Sequence, residues 1–599
     1  MHNTIPPYGI TFLGRLSVIG KGGDPATAYG QIEVASPPAG LSNLYPQATI
    51  WPPTRCSLAH IFGGHCVHCP TALLRRSHCP RHDRRPRRSF RRITGSSSLS
   101  HSSDALNPDN ERLRWLGGSG CKITLDDPNV DGQAGSQLVS FFGGSAGIGF
   151  TDAAHTTAAT PVNFIVRDKV DHTGKKQMND PRVGMWGGSY GGQIQFAIAG
   201  IDARMDALNP QITWNDLSYS LGPNNTGQTN GISTAMPGAT KSTWALAFSA
   251  IGIFDGVQYA QNDPQRLIGC PNFADFVCPA LVAGGATGYL QPSDVGALRH
   301  ASVASYMSRI KIPVLLDQGE VDTLFNLNES VATYKALKNQ GTPVKLMWRY
   351  NGHTGGKPSA AGAAYESTRI QDWFDHYLKG TSASTGPEFA YYKDWDGTVG
   401  TAGSYPIGTA RNFYLSGQNL VVSPDDVQTG TQSFVTPAAG APTSLGALDA
   451  AGGRVDVPLP LPDVNLPGTF ASWTGAPLAQ ATTVVGSPEL DLTLSAPAAA
   501  LTQATGPGGQ LMLFAKVYDV DASGTASLIN GLVAPIRVAD VTKPIHVTLP
   551  AFAHRFAAGH RIAVYIAGGD TNYRAGTTPT PVSVTTGSLA QRLTLPVVG

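Results

Sequence analysis

The 599-residue chain is short of charge, with Asp, Glu, Lys and Arg together making up only 14%, against roughly 25% in an ordinary globular domain. The Glu/Lys/Arg-rich heptads of a coiled coil are therefore excluded. Long apolar runs are missing as well. None approaches the ~20 residues that a spanning helix needs, so no membrane span is expected. The opening MHNTIPPYGITFLGRLSVIGKGG has no early basic residues, and Gly14, Arg15 and Gly20 interrupt its apolar stretch, so no secretory signal is recognisable in it. Cysteine is scarce: five of the seven precede residue 122, leaving Cys270 and Cys278. This late pair would be a disulfide in an exported protein and two buried thiols otherwise. With the low charge it leans weakly towards secretion, and the compartment stays open. What the chain does have is 41% hydrophobic residues, 69 Gly and 44 Pro. That is too apolar for intrinsic disorder and suits strands, turns and loops, in two to four domains.

The net charge of +2 hides an asymmetry, because residues 51–115 hold twelve Arg and four acids. The rest of the chain is mildly acidic. Three readings fit this segment. Cys66, Cys69, Cys79 and His82 loosely resemble zinc-ligand spacing. The arginine run suits nucleic acid or an anionic surface. A shifted reading frame in a GC-rich gene also yields Arg, Pro, Ser, Cys and His in this way. The last accounts for most, since no alternating apolar strand occurs here and ordinary patterning returns abruptly near residue 117. We therefore expect no zinc site and no nucleic-acid partner. GRLSVIGKGG (14–23) is no P-loop: it has five residues between its glycines and no Ser or Thr after the lysine.

Beyond residue 120, strand and helix patterns alternate. QLVSFF (137–142) reads as a strand or short helix, RVGMW (182–186) as a strand and QIQFAIAGIDARM (193–205) as a helix. IPVLLDQG (312–319), LNESVATYKALKNQG (327–341), PVKLMWRY (343–350) and AAYESTRIQDWFDHYLKG (363–380) follow as strand, helix, strand, helix. This alternation predicts a parallel sheet covered on both faces. Helical-looking segments within 210–305 read as a cap over the strand ends. After residue 385 the helices stop. FYLSG, VDVPLPL, LDLTLSA, LMLFAKVYDVD, IHVTLP and RIAVYIA are short strands divided by Gly and Pro turns, as in a sandwich or jelly roll. The predicted divisions are an irregular segment 1–116, a core in two parts (117–209 and 306–384) around a cap (210–305), and a β-sandwich (385–599).

G-x-S-x-G occurs twice, around Ser145 and Ser189. A nucleophilic serine in this motif needs a sharp strand-to-helix turn, and small neighbours let that turn pack closely. No good helix start follows Ser145. Ser189 has a strand before it and a helix after it, whose N-terminal dipole faces a developing oxyanion. The order Ser, acid, His is then sought on loops past later strands. IPVLL runs into Asp317, Glu320 and Asp322. Asp317 still belongs to the strand end, and Asp322 lies deepest in the loop. KLMWRY runs into His353, flanked by Gly352, Gly355 and Gly356. His376, inside the last helix, reads as structural.

GMWGGSYGGQIQFA, PVLLDQGEVDTLFNL and NGHTGG resemble the CocE/NonD-type hydrolases, grouped with the Xaa-Pro dipeptidyl-peptidase (S15) family. FAKVYDVDASGTASLINGL and PAFAHRFAAGHRIAVYIAGGD resemble that family's β-sandwich, so the likeness covers roughly residues 117–599. It implies an α/β-hydrolase core with a helical cap insertion and a C-terminal all-β jelly-roll sandwich. It implies Ser189 as nucleophile, Asp322 as acid, His353 as base and the Tyr190 N–H as one oxyanion donor. The family's second donor is a tyrosine hydroxyl from early strands expected within 35–116. No tyrosine lies between Tyr45 and Ser189, so that donor is unassigned. Trp214 and Trp244 are candidates for an acyl pocket, although such residues are more often plain core. The expected chemistry is cleavage of a small peptide or ester through an acyl-enzyme, with no metal or organic cofactor. The rival reading is a catalytically impaired binding protein whose sandwich recognises a glycan or a partner.

Overall fold

A computed structural model describes residues 14–18, 122–149, 156–260, 264–445 and 464–599. The three readings of 51–115, the sought second tyrosine and the strand VDVPLPL lie outside the described residues.

The first domain is built on a seven-stranded sheet. Its strands are β1 (Gly14–Val18), β4 (Val183–Gly188), β5 (Ala207–Gln211), β8 (Val314–Gly319), β9 (Val344–Arg349), β10 (Phe389–Lys393) and β11 (Thr398–Ala402), and they stand side by side in that order. The five from β4 to β10 run parallel, while β1 and β11 are antiparallel edges. Two small ribbons, β2 (Arg167–Val170) with β3 (Lys176–Pro181) and β6 (Gln228–Asn230) with β7 (Ser233–Thr234), stand apart.

Sheet geometry explains the helix placement. Successive side chains of a strand face opposite ways. Leu208, Val314 and Leu316 thus pack with α1 (Gln133–Phe142), α2 (Tyr190–Ala199) and α7 (Leu327–Asn339). Ala207 and Leu315 face the other way, onto Trp373 and Leu378 at the end of α8 (Ala360–Tyr377). With both faces covered, the central strands are buried along their length, as in β8.

QLVSFF, read as a strand or a short helix, is the second half of α1. Two elements differ from the sequence reading. The helix after Ser189 ends at Ala199 and the chain returns as β5, which the sequence reading missed. Pro210 is the fourth of the five residues of β5, and proline argues against a central strand. Gly14–Val18, inside the segment read as irregular, pairs with β4, whose free N–H and C=O groups accept an extended segment.

Between β5 and β8 lie α3 (Leu217–Leu221), α4 (Ser242–Tyr259), α5 (Val277–Thr287) and α6 (Pro292–His300). They enclose a separate apolar core of Trp214, Leu217, Trp244, Phe273, Leu290 and Phe325 among others. Cys270 and Cys278 form a disulfide there. Among the described residues no helix is long and apolar enough to cross a membrane.

Among its described residues the C-terminal domain is all-β apart from short helical turns and one six-residue helix, Pro497–Thr502. Eleven strands within Thr409–Val598 form one continuous network, wrapped around a core that includes Trp473, Leu513, Phe556 and Val564. It is the jelly-roll sandwich expected from the run of short strands. The two domains also share apolar packing, because Val485, Ala551 and Ala553 belong to the core beneath α7.

Candidate active site

β4 ends at Gly188, and the chain turns sharply through Ser189 into α2. Ser189 has φ 58° and ψ −120°. A non-glycine residue at positive φ is strained, and such strain persists only where the surroundings over-determine it. Here the Ser189 N–H donates to Gln211 O of β5 (2.9 Å), and Ser189 O accepts from the N–H groups of Gly192 (2.9 Å) and Gln193 (3.1 Å). The sequence motif emphasises Gly187 and Gly191, but Gly192 matters too: a Cβ there would stand 2.6 Å from Thr213 Cβ and 2.8 Å from Gln211 O. Its absence lets α2 start directly against the neighbouring loop. Ser145 instead follows α1 in a helix-to-loop turn, so it has no strand behind it.

The loops after β8 and β9 bring the other two residues in. Asp322 is fully buried. Its Oδ1 accepts from the N–H groups of Leu324 (3.0 Å) and Phe325 (2.8 Å). Its Oδ2 lies 2.7 Å from His353 Nδ1 and accepts from the His353 backbone N–H at 3.2 Å. A carboxylate on Nδ1 fixes the proton there and leaves Nε2 as acceptor. Ser189 Oγ stands 2.8 Å from that Nε2. The structure thus brings Ser189, His353 and Asp322 into one hydrogen-bonded chain.

The rejected acids have other partners. Asp317 is buried in β8, 3.3 Å from Arg349 Nε. Burial pushes its carboxyl up to about 8, against the pull of Arg349. Glu320 Oε1 accepts from the Tyr392 N–H at 3.0 Å, and burial, reinforced by Asp394, raises it well above the usual range. His376 sits on α8 with Nδ1 3.0 Å from Ala383 O.

Tyr190 is the first residue of α2. Its N–H therefore has no acceptor within the helix. Its ring packs edge-on against Trp214, with centroids 5.4 Å apart, and burial raises its phenol far above the ordinary value, helped by the carboxyls of Asp126 and Asp131. From Ser189 an apolar cavity of about 120 Å³ opens under the cap. Trp214, Phe248, Ile251, Phe273, Leu298 and Phe325 are among its walls, and Asp255 is the one carboxylate among the described wall residues. Of the two predicted pocket tryptophans, Trp214 is a wall residue. Trp244 is not: its ring stands edge-on to His353, with centroids 5.9 Å apart, and its Nε1 donates to Thr323 Oγ1 at 3.2 Å. It packs against His353 instead of lining the pocket.

Sequence reasoning missed three further features. Thr323 Oγ1 and Thr354 Oγ1 are 2.7 Å apart, latching the acid loop to the histidine loop. Lys241, buried at the start of α4, donates to Thr323 O (2.7 Å) and Leu324 O (2.9 Å). Gln195 joins β4, β5 and α2 beneath the serine: its Nε2 donates to Gly191 O at 2.7 Å, and its Oε1 accepts from the Asn209 N–H at 3.1 Å. No local motif marks these residues: apart from Gly191, one turn before Gln195, the partners named are remote in sequence.

Residues 392–593 match the X-Pro dipeptidyl-peptidase C-terminal non-catalytic domain, and residues 282–381 match the prolyl oligopeptidase family. No curated protein sequence matches the chain. Among solved structures, an aminopeptidase from a marine sediment Thaumarchaeota archaeon is 14% identical, with a TM-score of 0.50 over 69% of this chain and 76% of that one. At that identity the likeness concerns the fold alone. A CocE/NonD family hydrolase from Staphylococcus aureus is 15% identical, with a TM-score of 0.46 over 69% of this chain and 71% of that one. An α-amino acid ester hydrolase is 16% identical, with a TM-score of 0.47 over 69% and 76% of the respective chains. The chain thus joins an α/β-hydrolase fold, part of which matches the prolyl oligopeptidase family, to a C-terminal domain similar to that of X-Pro dipeptidyl-peptidases.

Proposed function

We propose that the protein is a serine hydrolase that cleaves an ester or amide with an apolar acyl group through an acyl-enzyme. The observation that carries this reading is the continuous hydrogen-bonded chain from Ser189 Oγ through His353 to the buried Asp322. Each step follows from an atom in it. Ser189 Oγ attacks the substrate carbonyl as its proton passes to His353 Nε2. Asp322 holds the Nδ1–H and stabilises the imidazolium that forms. The Tyr190 N–H donates to the oxyanion, a kind of contact worth about 10²–10³ in rate. His353 then protonates the leaving group. A water activated by the same Nε2 hydrolyses the ester formed on Ser189.

The cavity supports the acyl preference. Its walls are almost wholly aliphatic and aromatic and it begins at the nucleophile, so an uncharged apolar acyl chain loses little solvation on entering. An X-Pro dipeptide would bring an ammonium group into the same space, where Asp255 is the wall carboxylate that could meet it.

The test is turnover of p-nitrophenyl butyrate and of Ala-Pro-p-nitroanilide by the wild type and by Ser189→Ala. We expect butyrate hydrolysis to dominate and to vanish in the variant, together with fluorophosphonate labelling. Full labelling of Ser189→Ala would overturn the assignment of the nucleophile. A dominant anilide activity would overturn the acyl preference while leaving the chemistry intact.

A further inference from the structure

We infer that Lys241, a residue of the cap, is a positioning residue for the acid Asp322. The inference rests on the reading of Ser189, His353 and Asp322 as a triad.

Two peptide units connect Lys241 to Asp322. Thr323 O and Leu324 N belong to one of them, Leu324 O and Phe325 N to the next. A trans peptide points its C=O and its N–H in opposite directions. Both N–H ends point at Asp322 Oδ1, at 3.0 and 2.8 Å. Both C=O ends accept from the Lys241 ammonium, at 2.7 and 2.9 Å. The two dipoles are therefore held between a cation at their oxygen ends and a carboxylate at their hydrogen ends. Hydrogen bonds in such a series polarise one another, so the lysine strengthens the grip on Asp322 and fixes the direction in which Oδ2 faces His353.

The surroundings suit this role. Lys241 is 1% exposed, and its Nζ stands 6.0 Å from the centre of the Tyr573 ring. Its backbone N–H donates to Leu221 O (2.8 Å), and the flanking Thr240 O accepts from the Arg574 N–H (2.8 Å). One turn further along α4, Trp244 holds Thr323 Oγ1 and packs against the His353 ring. The start of α4 thus grips the acid loop at two points, and the same helix supplies Ala245 and Phe248 to the cavity wall. The acid is held from the element that also holds the acyl group.

The test is a double-mutant cycle on the full chain with p-nitrophenyl butyrate, using Lys241→Met, Asp322→Asn and the pair. Lys241→Met keeps the side-chain length and removes the ammonium. A charge-assisted contact of this kind predicts a fall in kcat of about 10- to 100-fold with KM changed by less than about threefold. If the lysine acts through Asp322, the same substitution in the Asp322→Asn background costs less than about threefold. The downfield proton resonance of the His353 Nδ1–H should also broaden or shift in Lys241→Met. Equal losses in both backgrounds, or no loss in either, would overturn the proposal. So would a Lys241→Met chain that no longer folds by circular dichroism, since the role assigned is local. An Asp322→Asn chain with unaltered kcat would remove the triad reading itself, and the proposal with it.

Discussion

The narrowest point of the site is the contact between the loop after β9 and the backbone of Asp322. A Cβ added at Gly352 would lie 2.6 Å from Asp322 Cβ and 2.7 Å from Asp322 Cα. Both are main-chain or near-main-chain atoms of a fully buried residue, so no side-chain rotation relieves the overlap. Carbon atoms begin to attract near ~3.5 Å, so Gly352→Ala forces the two loops about 0.9 Å apart. His353 is the next residue, and its 2.7 Å bond to Asp322 and 2.8 Å approach to Ser189 both cross the widened gap. A misplacement of about 1 Å costs on the order of 10² in rate when the reacting groups are otherwise intact. We therefore expect Gly352→Ala to lower kcat on p-nitrophenyl butyrate about 100-fold, with little change in KM, because the cavity walls are untouched. Circular dichroism and the thermal midpoint should stay near wild type, since the loop lies outside both domain cores. Steady-state kinetics on the purified variant provides the measurement. A kcat within threefold of wild type would show that the histidine loop adjusts freely and that its fit against Asp322 does not matter to the reaction.

Two further outcomes follow from other parts of the molecule. Ala280, on α5, lines the apolar cavity proposed to take the acyl group, so Ala280→Phe places a ring in it. KM for p-nitrophenyl butyrate and longer esters should rise at least tenfold while acetate turnover is nearly unchanged, and a uniform loss across chain lengths would count against the cavity as acyl site. His554 lies between Asp394 on the hydrolase side and Asp519 in the sandwich. Burial pulls its imidazole down, but the two carboxylates outweigh this and hold it up at about 9. Stability from this group is full below about pH 6.5 and is lost at about 1.4 kcal/mol per pH unit as pH rises towards 9, because the folded state keeps a proton that the unfolded chain releases. The difference in unfolding free energy between wild type and His554→Gln should shrink by about 3 kcal/mol from pH 6 to pH 10, and a flat difference would sink this reading.

What was legible in the sequence was whatever is local. Ser189, Asp322 and His353 each sit a few residues past a strand, among glycines that permit a tight turn, and both the strands and the glycines are visible without a fold. β5 was hidden because Pro210 breaks the strand pattern and Asn209 and Gln211 break the apolar one. Their polar groups are satisfied internally: Asn209 Nδ2 donates to Leu315 O (2.8 Å) and Gln211 Nε2 to Asn209 Oδ1 (2.7 Å). Trp244 was assigned to the pocket by residue type alone, and only the three-dimensional arrangement places it against His353. The cavity could not be read either, because its walls come from separate segments between Leu125 and Phe325 that only the folded cap assembles.

The same remoteness bears on the C-terminal domain, whose matching family is described as non-catalytic. Its Asn530 Nδ2 donates to Glu320 O (3.1 Å), two residues before Asp322. Its Asn572 Oδ1 accepts from Thr243 Oγ1 (3.1 Å), two residues after Lys241. Asn328 of α7 accepts from Ala551 N (2.9 Å) and Ser487 Oγ (2.9 Å), and donates to Leu549 O (3.1 Å). The acid loop is therefore enclosed by the loop after β9, the start of α4, and a sandwich that also buries Val485, Ala551 and Ala553 in the hydrolase core. A buried carboxylate can hold a histidine in one direction only if its own loop cannot rotate. Here that rigidity comes from elements on both sides of the domain boundary, so the sandwich is part of what fixes Asp322 against His353, the contact on which the proposed triad depends.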